Sequence, residues 1–455
     1  MTHTARDDEQ DFDPVQERRV LVAGSVGSVI EWYDFGLFGA ASALVIGPLF
    51  FSSDLSPTAA TLASFATFAV GFFARPVGGL LIGNFGDRFG RKPALIFTLM
   101  LMGVSTFLMG CLPTYQDVGL LAPLLLVLLR LVQGAGAGAE LAGTFTIIVE
   151  ATRPSRRAFN TAVPNGATAI GSALGVVSFL LVDAIFGDQF LVWAWRIPFL
   201  ISIVIFFVAF FVRRHIEETP AFLAAKARAE QNPVARVPAA TMFRTHWRAL
   251  AIGFGIMVGH QAMSYVTTTF ALSYITTDLS VTSTIALSAS LIASLVGATL
   301  AGGFGRLADR LGAPRVIGFG AAFCLLTAFP AFVLLETRAP VLIVFALLLS
   351  YSVSFGAMAG GQGAILTRLF PADVRYTGVA MSRELAGTIV GGPSPLIAAA
   401  LVGLLGGQPW LVAAYLALCC AVTLLSLALA SRRFRREDAA AAAPAVGAAG
   451  LGGAR

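Results

Sequence analysis

The side chains best placed for chemistry are a few polar and ionisable groups set within long apolar stretches. They are Glu31 and Asp34, Arg75, Arg130 with Gln133 and Glu140, His260 with Gln261, and the adjacent Arg383 and Glu384. An ionisable group at the centre of a bilayer costs about 2.5 kcal/mol or more, so such groups face a partner, a cavity or water. Glu31 and Asp34 are spaced i and i+3, which puts them on one face of a helix. Asp34 and Arg130 both fall near mid-depth of their stretches at about 1.5 Å of rise per residue. A carboxylate and an arginine at that depth form either a static ion pair or a proton carrier displaced by an anionic substrate. Two acids near one guanidinium cannot both be fully compensated, so Asp34 or Glu31 is placed to carry a proton. Gln133, one turn after Arg130, offers both donor and acceptor to the same space. His260 reads as a proton relay or as a neutral, hydrogen-bonded histidine. Glu140 reads as a gate or a structural group, Arg75 as the anchor of a bent helix, and Arg383 and Glu384 as cavity groups or an interhelical pair.

These residues are held by elements that belong in a membrane. The chain has 455 residues, 57% hydrophobic and 12% charged. Soluble chains carry about 45–50% and about 25%. That balance excludes an ordinary soluble enzyme, a disordered chain and a disulfide scaffold. A spanning helix needs about 20 apolar residues. Such stretches are expected near 20–48, 58–84, 93–113, 120–148, 158–186, 191–213, 247–275, 282–306, 315–335, 340–368, 376–404 and 409–431. The expectation is therefore an all-α integral membrane protein with twelve transmembrane helices. No cofactor, metal cluster or nucleotide-binding motif is expected. The run Gly134-Ala-Gly136-Ala-Gly138 has no following lysine and reads as a site of close helix approach.

Of the 31 Lys and Arg, all except Arg75, Arg130, Arg196, Arg338 and Arg383 fall on one side when the N-terminus is placed inside. That asymmetry orients both termini toward the cytoplasm of a plasma-membrane protein. The net charge of +6 is thereby a matter of topology and predicts no nucleic-acid partner. The charged loop at 214–246, with Pro220, Pro233 and Pro238, divides two six-span bundles at 20–213 and 247–431. Tails at 1–19 and 432–455 flank them. The bundles echo each other: Gly83-Asn-Phe-Gly-Asp87-Arg88-Phe-Gly90-Arg91-Lys92 returns as Gly305-Arg-Leu-Ala-Asp309-Arg310-Leu-Gly312, and Arg157-Ala-Phe-Asn-Thr-Ala162 as Arg375-Tyr-Thr-Gly-Val-Ala380. Two matches at nearly one offset indicate a duplicated unit. Repeats of this kind commonly place a substrate site between the halves near the midplane.

The GNFGDRFGRK loop, its degraded copy and the topology resemble the major facilitator superfamily. A narrower set resembles its metabolite:proton symporter family. It comprises Glu31-Trp-Tyr33-Asp34-Phe-Gly36, Phe73-Ala-Arg75-Pro-Val-Gly-Gly79, Leu112-Pro-Thr-Tyr115, Arg130-Leu-Val-Gln133-Gly134, Trp195-Arg-Ile-Pro-Phe199 and Glu218-Thr-Pro-Ala-Phe222. Members of that family import small organic acids, proline or betaine with protons. Gly138-Ala-Glu140 and Pro164-Asn165 depart from the family pattern, so no one member's substrate carries over. The resemblance implies a major facilitator fold, substrate contacts from Arg130, Gln133, Tyr33, Asn165, Arg383 and Gln261, and proton coupling through Asp34 and Glu31. It also implies gating by Asp87, Arg88, Gly90, Arg91, Glu150, Asp309 and Arg310, with Asp87 accepting from a helix N-terminus in the other half.

The expected function is proton-coupled uptake of a small polar metabolite by a monomer that meets only substrate, protons and lipid. A drug:proton antiporter and a non-transporting metabolite receptor are the alternatives. Pro164-Asn-Gly166 lacks the Gly-Pro motif that such antiporters share, and the short tail leaves a receptor little room for signalling machinery.

Overall fold

The computed structural model describes residues 14–89, 91–138, 140–214, 244–371 and 374–442. Among them all regular structure is helical. In the first half of the chain α1 is Pro14–Leu44, α2 Pro57–Phe89, α3 Arg91–Gly110, α4 Leu121–Gly136, α5 Glu140–Ala151, α6 Arg157–Phe186 and α7 Arg196–Arg214. In the second half α8 is Trp247–Tyr265, α9 Ser283–Leu311, α10 Ala313–Glu336, α11 Pro340–Leu347, α12 Val353–Leu369, α13 Arg375–Ala386, α14 Ser394–Leu404 and α15 Trp410–Ala442. Among the described residues eight helical stretches, beginning at Pro57, Pro154, Trp247, Ser283, Ala313, Pro340, Arg375 and Trp410, are long and apolar enough to cross a membrane. Ile96–Gly110 and Leu121–Gly136 are shorter apolar helices.

The helices turn the soluble pattern inside out. On α4, Leu124, Leu128 and Leu131 are exposed, whereas Arg130, Gln133 and Gly134 are buried. In a bilayer the apolar face meets lipid, and the polar face must find its partners inside the protein. The stretch expected as one span at 120–148 is two helices, because the chain turns at Ala137 between α4 and α5. The glycine run does permit close approach: a Cβ on Gly134 would lie 2.0 Å from the carbonyl oxygen of Gly71 on α2.

Three second-half spans change pitch partway along their length. Wide π-helical turns at Val266–Phe270, Leu348–Ser352 and Gly387–Gly391 interrupt otherwise α-helical segments. Such turns leave backbone groups loosely satisfied and recur at functional sites. The Gly387–Gly391 turn runs into Pro393, which lacks an N–H, and α-helix resumes at Ser394.

Helix α6 packs along both α1 of its own half and α9 of the other, so it is the main seam between the halves. At one end of that seam Asp183 Oδ2 accepts from Ser283 Oγ at 2.8 Å and Thr284 Oγ1 at 3.1 Å. At the other end Asp309 accepts from the start of α6.

Candidate functional site

Between the halves lies a central cavity of about 40 Å³, walled by Trp32, Phe35, Asn165, His260, Gln261, Tyr265, Tyr351, Phe355 and Arg383. Of the expected substrate contacts, Asn165, Gln261 and Arg383 therefore line it. Arg383 is buried and donates from Nη1 to Gln362 Oε1. Gln362 Oε1 also accepts from Asn165 Nδ2 at 3.1 Å. The guanidinium lies 5.1 Å from the Phe145 ring centroid, and among the described residues no carboxylate pairs with it. His260 lines the same space against Phe355, at 5.3 Å between ring centroids, and its Nδ1 has no partner among the described residues.

Arg130 stands one layer behind. It is fully buried, with its guanidinium carbon 4.0 Å from the Phe38 ring centroid, and it is absent from the cavity wall. Arg130 Nη1 donates to Gln133 Oε1, Gln133 Nε2 donates to Thr106 Oγ1 at 2.7 Å, and Thr106 Oγ1 donates to Asp34 Oδ2 at 3.0 Å. The expected Asp34–Arg130 relationship thus exists as a four-residue chain of hydrogen bonds rather than a contact pair. Thr106 was not singled out from sequence, because a hydroxyl on an apolar helix commonly bonds its own backbone. Here its single proton is shared between Asp34 and the Met102 carbonyl.

Glu31 does not share Arg130 with Asp34. Its carboxylate lies 3.9 Å from Arg75, which donates to Glu384 from Nε at 2.7 Å and from Nη2 at 3.0 Å. The expectation of two acids beside one arginine is corrected in this respect: the arginine with two carboxylates is Arg75, and one of those carboxylates belongs to the other half. One helical turn along α2, Phe72 packs edge-on against Tyr265, so this triad sits directly beside the cavity. Tyr33 is a second correction, because its hydroxyl donates to the Pro198 carbonyl at 3.1 Å and anchors α1 to α7. It does not line the cavity.

At the other end of the α6–α9 seam, Asp309 Oδ1 accepts from Ala158 N–H at 2.8 Å and Oδ2 from Phe159 N–H at 3.0 Å. This capping of α6 mirrors the contact expected of Asp87. Gly312, with φ +92°, makes the turn between α9 and α10 that a side-chain-bearing residue would strain to adopt. The echoed arginines also match in detail: Arg157 Nε donates to the Val149 carbonyl and Arg375 Nε to the Thr367 carbonyl, each at 3.2 Å. Arg310 is exposed at the end of α9. The side chains of Asp87, Arg88, Arg91, Glu140 and Glu150 lie outside the described residues, as does Gly90.

A helical membrane protein with a polar cavity enclosed between its halves, and contacts at both ends of the seam, has the architecture of a carrier. The chain belongs to the Major Facilitator Superfamily, whose sequence model matches residues 26–395. It is 34% identical over 427 residues to the shikimate transporter of Escherichia coli K12, covering 94% of this chain and 97% of that one. It is 36% identical over 436 residues to an inner membrane metabolite transport protein of the same organism, covering 94% and 97%. It is also 31% identical over 399 residues to the proline/betaine transporter of Salmonella typhimurium, covering 86% and 79%. Among solved structures, a D-xylose-proton symporter superposes with a TM-score of 0.68 at 18% identity, covering 89% of this chain and 96% of that one. The protein is a multi-pass membrane transporter, and the relatives that carry the narrower resemblance are named for the transport of shikimate, an unspecified metabolite and proline/betaine.

Proposed function

We propose that the protein imports a small polar metabolite, an organic acid or a zwitterion, together with protons by alternating access. Twelve spans form two six-helix halves, at 20–213 and 247–431. Both termini face the cytoplasm, and the working unit is a monomer in the plasma membrane. The observation that carries this reading is the buried chain from Asp34 through Thr106 and Gln133 to Arg130, set immediately behind the cavity. Protonation of Asp34 removes its demand for the Thr106 hydroxyl and lets Gln133 and Arg130 re-orient. The halves then rock about the α6–α9 seam, and the Asp309 cap on α6 opens and closes with the cytoplasmic side. The fold of the xylose-proton symporter and the names of the curated relatives support the same reading.

The test is accumulation of labelled solutes in proteoliposomes under an imposed pH gradient, alkaline inside. Import requires accumulation of at least one metabolite above the level seen when a protonophore collapses the gradient. If no organic acid, proline or betaine accumulates, and solutes instead leave the vesicles as protons enter, the antiporter reading replaces it.

A further inference from the structure

Three buried cations and three buried carboxylates surround the cavity among the described residues: Arg75, Arg130 and Arg383 against Glu31, Asp34 and Glu384. Geometry divides them unequally. Arg75 takes Glu384 in a two-point grip and has Glu31 at 3.9 Å. Asp34 is bound through Thr106 and Gln133 to Arg130. Arg383 is left with only the neutral amide oxygen of Gln362, and of the three arginines it alone reaches the cavity wall. A guanidinium more than nine-tenths buried and facing a cavity without a carboxylate is a preformed seat for one.

The rest of the wall is under-satisfied in a particular way. Trp32 Nε1, His260 Nδ1, Ser264 Oγ and Ser290 Oγ all border the cavity and have no hydrogen-bond partner among the described residues. Buried polar groups are nearly always paired, to protein, water or ligand, so these donors and acceptors are free of protein partners and can turn to polar groups on a ligand. They suit hydroxyls. Stacked rings, Trp32 with Tyr265 and Tyr351 with Phe355, supply flat apolar walls for a compact carbon body.

We propose that Arg383 anchors the carboxylate of a hydroxylated, monoanionic carboxylic acid, which moves with one proton so that each cycle carries no net charge. This deepens the proton-coupled import reading and rests on it. The stoichiometry follows from the count. With all six groups ionised the core is neutral, and a proton taken up in the chain ending at Asp34 makes it one unit positive. An uncompensated charge in a low-dielectric interior is costly, and a single carboxylate on Arg383 removes it. A zwitterion leaves the positive charge in place, and a dianion overshoots to a negative one. Titratable groups facing this space are His260 and Tyr265 from the α8 segment and Tyr351 from the turn before α12. Arg130 faces Asp34 from α4 through Gln133.

The experiment uses the full chain in proteoliposomes with labelled shikimate, quinate and gluconate as monoanions, glycine betaine as zwitterion and α-ketoglutarate as dianion. The expected result is accumulation of a monoanion under a pH gradient, at a rate unchanged when potassium and valinomycin impose a membrane potential. Arg383→Gln is expected to lower its kcat/KM about 100-fold, the loss of a charge-assisted contact, with Arg383→Lys between it and the wild type. Accumulation of betaine or α-ketoglutarate instead of a monoanion, a rate that follows the potential, or wild-type kinetics in Arg383→Gln overturns the proposal and leaves proton-coupled import standing. No accumulation of any probe overturns both. If Arg383→Gln fails to fold, the potential dependence of the wild type decides alone.

Discussion

The guanidinium of Arg75, in the first half of the chain, holds Glu384, in the second, through two hydrogen bonds of 2.7 and 3.0 Å. Both side chains are buried, and Arg75 also lies over the rings of Phe35 and Phe72, at 4.9 and 5.6 Å to their centroids. A pair that bridges the halves beside the cavity must part when they separate there. Glu31, 3.9 Å away, is placed to receive the released arginine. Removing one partner of a buried pair strands the other charge, at a cost of about 3–5 kcal/mol, whereas apolar replacement of both is often neutral. Glu384→Ala is therefore expected to lower the thermal midpoint of the purified protein, and Arg75→Met with Glu384→Leu and Glu31→Gln, which leaves none of the three charges stranded, to recover most of it. An unchanged midpoint in Glu384→Ala would show that the pair does not hold the halves together.

A second prediction concerns the cap at the other end of the seam. Asp309 satisfies two N–H groups at the start of α6, and loss of such a cap costs about 0.5–2 kcal/mol. Because cap and helix lie in different halves, that cost falls only on the state in which this face is closed. Asp309→Ala should raise the population open on this face. The measurement is maleimide labelling of Thr161→Cys, a position buried against Gly363, in a Cys111→Ser background because Cys111 is the exposed native cysteine among the described residues. Labelling no faster than in the Asp309 parent would remove the latch from the mechanism.

A third prediction tests the α2–α4 contact. A methyl group on Gly134 would sit 2.0 Å from the Gly71 carbonyl oxygen, a separation that real Cβ atoms do not adopt. Gly134→Ala must push the helices apart and with them the adjacent Gln133 and Arg130, one turn back on α4. Overpacking costs about 1–3 kcal/mol. The variant should unfold at lower temperature and lose uptake together, while Gly303→Ala, with open space at its Cβ, should change neither.

Much of this architecture was legible in the chain because the membrane makes composition explicit. The burial of Arg75, Arg130, Arg383 and Glu384 inside the protein followed from the cost of charge in lipid, which leaves few alternatives. The echo of Arg157 at Arg375 reappears as matching hydrogen bonds to Val149 and Thr367. Pairings were less legible. Spacing along one helix placed Glu31 and Asp34 on one face but could not say which arginine each would meet, because that depends on how far α2 and α4 lie from α1. Gln362 escaped notice for a related reason. A neutral amide in a glycine-rich stretch carries no charge penalty to mark it, yet it joins Arg383 to Asn165 across the halves. Tyr33 misled because its motif carries a functional resemblance while its hydroxyl is spent on the Pro198 carbonyl.

The last prediction separates proton coupling from substrate passage. Asp34 is buried and its described link to the rest of the protein is the Thr106 hydroxyl, which is bound in turn by Gln133. Asp34→Asn keeps the shape and removes the titration, so accumulation driven by a pH gradient should fall to the gradient-free level while substrate exchange between equal pools persists. Thr106→Val keeps the volume and cuts the chain between Asp34 and Gln133. If protonation reaches Arg130 through that hydroxyl, the variant should lose about tenfold in kcat, the worth of one hydrogen bond to a charged group, with little change in KM. A rise in KM at constant kcat would instead assign Thr106 to substrate binding. Gradient-driven accumulation surviving in Asp34→Asn would move the proton to another carboxylate, and Glu31, already beside Arg75, is the next to substitute.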